Sequence, residues 1–154
     1  MHRGNGRRRY AVSTVEFALV LPVLLAILLG IVEFGWMVKC NLTLANATRE
    51  GARTASLGAT TADISNRITT SASPLVVTSP TGSITMQFSG NGGTSYQPWP
   101  ADTAATPSTP AKNGVAVGNL IRISTTSNYR SLTRFFPFLN NRTLNTFVTM
   151  RREL

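Results

Sequence analysis

The amino-acid sequence predicts an α+β protein. A long N-terminal transmembrane helix continues into an extracytoplasmic stalk, and the stalk packs against a small antiparallel β-sheet of three or four strands. Two observations predict this. Residues 17–38, FALVLPVLLAILLGIVEFGWMV, form an apolar run interrupted by one charge, Glu33. Residues 74–154 are polar and rich in Thr, Ser and Asn, with apolar residues that alternate in short runs bounded by Gly and Pro.

Residues 1–16 form a basic leader carrying Arg3, Arg7, Arg8 and Arg9. The next 22 positions, 17–38, rise about 33 Å as a helix, close to the thickness of a bilayer's hydrocarbon core. A helix satisfies its own backbone amides in lipid, and Pro22 falls in the second turn, where losing one bond is mild. The arginines before the run outnumber the basic residues just after it, which orients the N-terminus toward the cytoplasm. Trp36 then falls near the outer interface. Glu33 lies close enough to that interface to snorkel, or it meets a donor on a neighbouring helix. Small residues recur at spacing four (Ala18, Pro22, Ala26, Gly30), a stripe along which another helix can approach closely. A secretory signal peptide is the competing reading, with LANA at 44–47 as its cleavage site. The apolar run is longer than the usual 7 to 15 residues, and Glu33, Lys39 and Asn41 separate it from that site.

Residues 39–73 are predicted as a helical stalk. Leu42, Ala45, Arg49, Ala52 and Ala55 recur at helical spacing, with Leu44 and Thr48 widening an alanine-rich side. Gly51 weakens this helix by about 1 kcal/mol relative to Ala, and Gly58 is a natural stop. Glu50 precedes Arg53 by three residues, a pair contributing a few tenths of a kcal/mol. A short second helix follows around Ile64 and Ile68, with N-cap donors and acceptors available from Thr60, Thr61 and Asp63 and an end at Ser73-Pro74.

Residues 74–154 are predicted as the β-rich domain. Strand character appears at 75–78, at 83–88 with Ile84, Met86 and Phe88 on one face, at 115–126 with a break at Gly118-Asn119, and at 144–150. Arg122 is expected to face water. The loop 89–114 exceeds the ordinary length for a compact domain. Its Tyr96 and Trp99 either form a partner surface or fold back over the sheet. Leu132–Leu139, with Phe135, Phe136 and Phe138, is expected to cover the sheet as an irregular plug.

Function classes narrow accordingly. Charged residues are 14% of the chain, and its apolar content is concentrated in one run, which argues against a soluble enzyme. The net charge of +9 invites a nucleic-acid reading, but the arginines beyond the run are dispersed and the N-terminal cluster serves topology. One cysteine, Cys40, and one histidine, His2, leave no metal spacing and no Ser/His/Asp set, and GNGG at 90–93 has no following lysine. Cys40 reads as a small buried hydrophobe. No cofactor, metal or catalytic residue is expected.

Three stretches in order carry a family pattern. Residues 7–22, RRRYAVSTVEFALVLP, resemble the start of TadE-like proteins, the pseudopilin-type components of the bacterial tight-adherence (Flp pilus) assembly system. The resemblance continues through Gly30-Ile31-Val32-Glu33-Phe34-Gly35 and through Asn46 to Arg53, a stalk motif that includes Arg49, Glu50, Gly51, Ala52 and Arg53. The end of the chain, Thr149-Met150-Arg151-Arg152-Glu153, is similar as well. The resemblance implies a single-pass protein of the bacterial inner membrane, non-enzymatic, with its C-terminal domain extracytoplasmic. It implies cleavage by a prepilin-type peptidase between Ala11 and Val12, placing Glu16 fifth in the mature chain, followed by Phe17. Ala11 stands where relatives usually carry Gly. It further implies partner pilus or pseudopilin subunits that associate through the membrane helix, where Ala26, Gly30 and Glu33 are the packing or pairing candidates. In such a bundle Glu16 of one subunit neutralises the new Val12 amine of its neighbour. Alternatives are an unprocessed envelope scaffold of the same shape that anchors a secretion or assembly complex, and a binding module released by signal peptidase.

Overall fold

The computed structural model describes the backbone of residues 5–133 and 135–153, and within those ranges the side chains from residue 14 onward. The arginine at position 3 and the side chains at 7–9, part of the predicted leader, lie outside the described residues.

The predicted membrane and stalk helices are one element. Helix α1 runs unbroken from Asn5 to Ser56, with Pro22 inside it. Its second half turns a face inward through Cys40, Leu44, Ala47, Thr48, Ala52 and Ala55, all buried. This face is rotated from the expected stripe, for Leu42 is exposed and Leu44 takes the core position. Ala47, Ala52 and Ala55 on the inward face let the sheet and the second helix come close around Leu44.

Helix α1 ends where the chain cannot stay right-handed. Gly58 has φ +93°, and its N–H donates to the Ala55 carbonyl at 3.0 Å. Helix α2, Thr61–Ser71, folds back on α1. Thr60 is its N-cap, with Oγ1 accepting from the Asp63 N–H at 3.2 Å. Ile64 and Ile68 are fully buried against α1.

A Cβ placed on Gly51 would lie 2.2 Å from Ile68 Cγ1, so glycine is what lets α2 seat on α1. Gly51→Ala therefore gains helix propensity and loses packing, and overpacking outweighs the gain. The expected net loss is about 1 kcal/mol, measured by reversible unfolding in detergent. A more stable variant would mean that only propensity acts at this position.

The sheet has four antiparallel strands in the order β2-β1-β3-β4: β1 Gly82–Ser89, β2 Gln97–Pro98, β3 Leu120–Asn128 and β4 Thr143–Arg151. Ile84, Met86 and Phe88 of β1 share the inward face with Ile121 and Ile123 of β3 and with Val148 and Met150 of β4, in register across the sheet. The core lies between this face, the outer half of α1, and α2.

Three expectations change. Residues 75–78 form no strand, although Val77 is buried in the core; prolines 74 and 80 flank the segment and supply no ladder donors. The strand expected at 115–126 begins only at Leu120, after Gly118 turns with φ +89°. The aromatic segment 132–139 leaves the sheet largely uncovered: Leu132, Phe135 and Phe138 are exposed, and Leu139 alone packs on the core.

The 89–114 loop is tied down at several points. Trp99 packs against the core, and its Nε1 donates to Thr61 Oγ1 at 3.0 Å. Asp102 accepts the Thr61 N–H at 2.8 Å and its hydroxyl at 2.7 Å, a second cap for α2 supplied from 41 residues away. Asn113 Nδ2 donates to the carbonyls of Ala55 and Ala59. The guanidinium carbon of Arg122 lies 5.2 Å from the Tyr96 ring centroid and 4.5 Å from that of Phe147. Arg122 is thus covered by aromatics on the outer sheet face rather than standing free in water.

Candidate functional site

From Val15 to Leu28 every large apolar side chain of α1 is exposed. This stretch lies in Thr14–Ser56, the helix that, among the described residues, is long and apolar enough to cross a membrane. In water such a surface would drive association, whereas lipid solvates it. Glu16 and Phe17 lie on this exposed surface. Ala11 and Val12 fall within the helical backbone, and their side chains lie outside the described residues.

On the face turned toward the β-domain this surface is interrupted at Glu33, which is 1% exposed, while Phe34, Val38 and Leu42 beyond it stay exposed on the other faces. Its carboxylate accepts four hydrogen bonds from one loop of the chain's own β-domain. Leu132 N–H donates to Oε1 at 3.0 Å, and Thr133 donates its N–H and hydroxyl to Oε2 at 3.0 and 2.8 Å. The Tyr129 hydroxyl completes the set at Oε1. Tyr129 is fully buried, and burial pushes its phenol well above the usual range, with the neighbouring carboxylate adding to the shift. Its backbone is pinned to the β3–β4 connection, N–H to the Arg142 carbonyl at 2.7 Å and carbonyl from the Asn141 N–H at 3.0 Å. An acceptor-only group meets four donors, so the carboxylate satisfies backbone that has no ladder partner. Glu33 had been expected to snorkel or to bind a neighbouring helix. The structure instead places it as the clamp joining α1 to its own sheet domain.

The small-residue stripe divides at the same level. Ala18 and Pro22 are exposed, while Ala26 and Gly30 are half-buried. The position of a Cβ on Gly30 lies 3.8 Å from the Phe136 ring, so the outer end of the stripe is occupied by the chain itself. Trp36 is half-buried, with Lys39 Nζ 4.9 Å from its ring centroid.

The stalk motif is structural. Ala52 is fully buried, and Gly51 receives Ile68. Glu50 pairs with Arg67 of α2 at 3.0 Å rather than with Arg53, which is exposed. Arg49 donates to Asn46 Oδ1 at 3.3 Å. At the far end, buried Arg152 donates Nη1 to the Ser56 carbonyl and Nε to the Val115 carbonyl, both at 3.4 Å. A cation against the C-terminal carbonyls of a helix is favourable, and here it locks the close of β4 to the end of α1. Tyr129, Thr133, Asp102, Asn113 and Arg152 were not singled out from the sequence as anchoring residues. Each works across 37 residues or more, so no local spacing marks it.

Two consequences bear on function. Cleavage at LANA, 44–47, would remove Glu33, Cys40 and Leu44, which the domain buries. Among the described residues, no three His, Cys, Asp or Glu side chains come together as a metal site. A family model described as TadE-like protein matches residues 11–53. No curated protein and no solved structure matches the chain.

Proposed function

We propose that this chain, which contains a TadE-like domain over residues 11–53, is a membrane-anchored pseudopilin or minor-pilin-like structural component of a tight-adherence (Flp) pilus assembly system. The observation that carries the reading is the continuous α1: one half presents an apolar surface to lipid, and the other is the core helix of a small domain. A subunit of this form transmits movement of its membrane helix directly to the displayed domain, since no linker intervenes. The protein sits in the inner membrane with its N-terminus cytoplasmic and its sheet domain outside, following the basic leader. Its partners are the bilayer, other pilus or pseudopilin subunits that pack along the exposed helix, and a prepilin-type peptidase for which it is substrate. Cleavage falls between Ala11 and Val12. Glu16 of one subunit then neutralises the Val12 amine of the next in a low-dielectric bundle.

The test is the mass of the protein purified from bacterial membranes. Loss of residues 1–11, abolished when the prepilin peptidase is deleted, is the expected result. A full-length chain favours an unprocessed envelope scaffold. Loss of the whole apolar run would mean a released module, an outcome opposed by the burial of Glu33, Cys40 and Leu44 in the domain.

A further inference from the structure

The proposed anchor accounts for the exposed surface of α1 but not for a second apolar surface next to it. The loop 132–139 carries Leu132, Phe135 and Phe138 at 54%, 54% and 67% exposure. Phe136 joins them in edge-to-face contacts, with centroids 5.1 Å from Phe135 and 5.8 Å from Phe138. Phe136 also reaches α1 at Gly30, so the cluster lies beside the exposed apolar surface of the helix. Glu33 holds the base of this loop by the Leu132 and Thr133 amides. The base of the loop is thus tied to α1, and its aromatics stand outward from the sheet.

One turn farther along α1 the chemistry becomes basic and polar. Lys39 lies over Trp36, and a cleft of about 410 Å³ beside them has Arg130, Asn128, Asn140 and Asn141 on its polar side and Pro74, Leu75 and Val76 on its apolar side. Arg130 and Lys39 are exposed. Aromatic side chains below, with an indole and cations one turn above, match the order of acyl chain, interface and phosphate in a leaflet.

We infer that the 132–139 loop is a second membrane contact, with Leu132, Phe135 and Phe138 seated in the outer-leaflet interface of a phospholipid bilayer beside the anchor helix and Arg130 and Lys39 at the level of its phosphates. The occupant is lipid because the aromatic patch is continuous with the exposed surface of α1, and because the cations flank it on the side away from the hydrocarbon. The inference rests on the membrane-anchor reading. It sets the outer edge of the hydrocarbon near Gly30–Glu33, with the exposed Phe34 and Val38 in the interfacial layer above it, leaving residues 14–32, about 28 Å of helix, as the span. It also fixes the tilt of the domain, since two points of contact hold it where one helix would let it swing.

The test uses full-length protein in phosphatidylethanolamine–phosphatidylglycerol vesicles, with Trp36→Phe and Trp99→Phe removing the native indoles. One variant adds Leu24→Trp at mid-span and another adds Phe138→Trp. The expected result is that lipids brominated deep in the acyl chain quench the Leu24→Trp protein most strongly, and that lipids brominated near the headgroup quench the Phe138→Trp protein most strongly. If the Leu24→Trp protein is quenched and the Phe138→Trp protein is not, the loop inference fails while the anchor stands, whether acrylamide reaches the indole (water) or not (another protein copy). If neither is quenched, the anchor reading fails and the loop contact with it. The native chain gives an independent measurement: a phospholipid with a photoreactive diazirine high in its acyl chain should label a peptide containing 132–139. Labelling confined to α1 overturns the inference.

Discussion

Glu33→Gln is expected to lower stability by about 3 kcal/mol and to free the 129–133 loop from α1. The carboxylate accepts from Tyr129, Leu132 and twice from Thr133. Glutamine keeps the shape but turns one oxygen into an NH₂ group, so donors face donors in a site closed to water. The charge-assisted bonds go too, and one backbone amide outside any sheet ladder, that of Leu132 or of Thr133 according to which oxygen is replaced, loses its acceptor. Unfolding of the detergent-solubilised protein measures the loss, and trypsin cleavage after Arg130 reports the loosened loop. Unchanged stability and an unchanged digest would show that Glu33 is not the clamp. The effect is local to the junction, so an exposed helix position such as Leu24→Ala should leave both readings as in the parent.

Gly58→Ala carries the second large effect, a loss of about 2–3 kcal/mol from two sources. The backbone at Gly58 has φ +93°, a conformation unfavourable for any residue with a Cβ. The added Cβ would also stand 2.2–2.8 Å from the guanidinium of Arg152. That side chain is 4% exposed and cannot swing aside without giving up the Ser56 and Val115 carbonyls it binds. Leu57→Ala, one residue earlier at an exposed position, is the control and should cost little. Equal effects for the two variants would mean that neither the positive φ nor the Arg152 lock matters.

Legibility in the sequence followed the range of the forces involved. The apolar run, the stop at Gly58, the cap and core positions of α2 and the alternation in β1 and β4 are set by neighbours within a turn or a pleat, so residue spacing is sufficient to read them. The break at Gly118 was legible in the same way, though the strand begins only after it. The face of the stalk was harder. Alanines lie all around it, and only the approach of α2 and the sheet selects Leu44 over Leu42 for burial. Segment 75–78 has apolar residues fit for a strand yet joins no ladder, although β2 pairs only Gln87 and Phe88 on the outer side of β1; the prolines at 74 and 80 on its flanks oppose pairing.

The candidate site divides along the same line. A lipid-facing helix needs no partner to be recognised, because hydrophobicity acts on composition and length alone. Where that helix meets the rest of the protein is another matter. A lone carboxylate near the end of an apolar run is compatible with several environments, and its donors lie 96 to 100 residues away. Hydrogen bonds are short and directional, so their partners are defined only once the sheet has brought the β3–β4 connection against α1. The existence of a helix long and apolar enough to span a membrane and the class of the fold thus follow from chain chemistry. The position of the clamp and the outward set of the aromatic loop follow from folding alone.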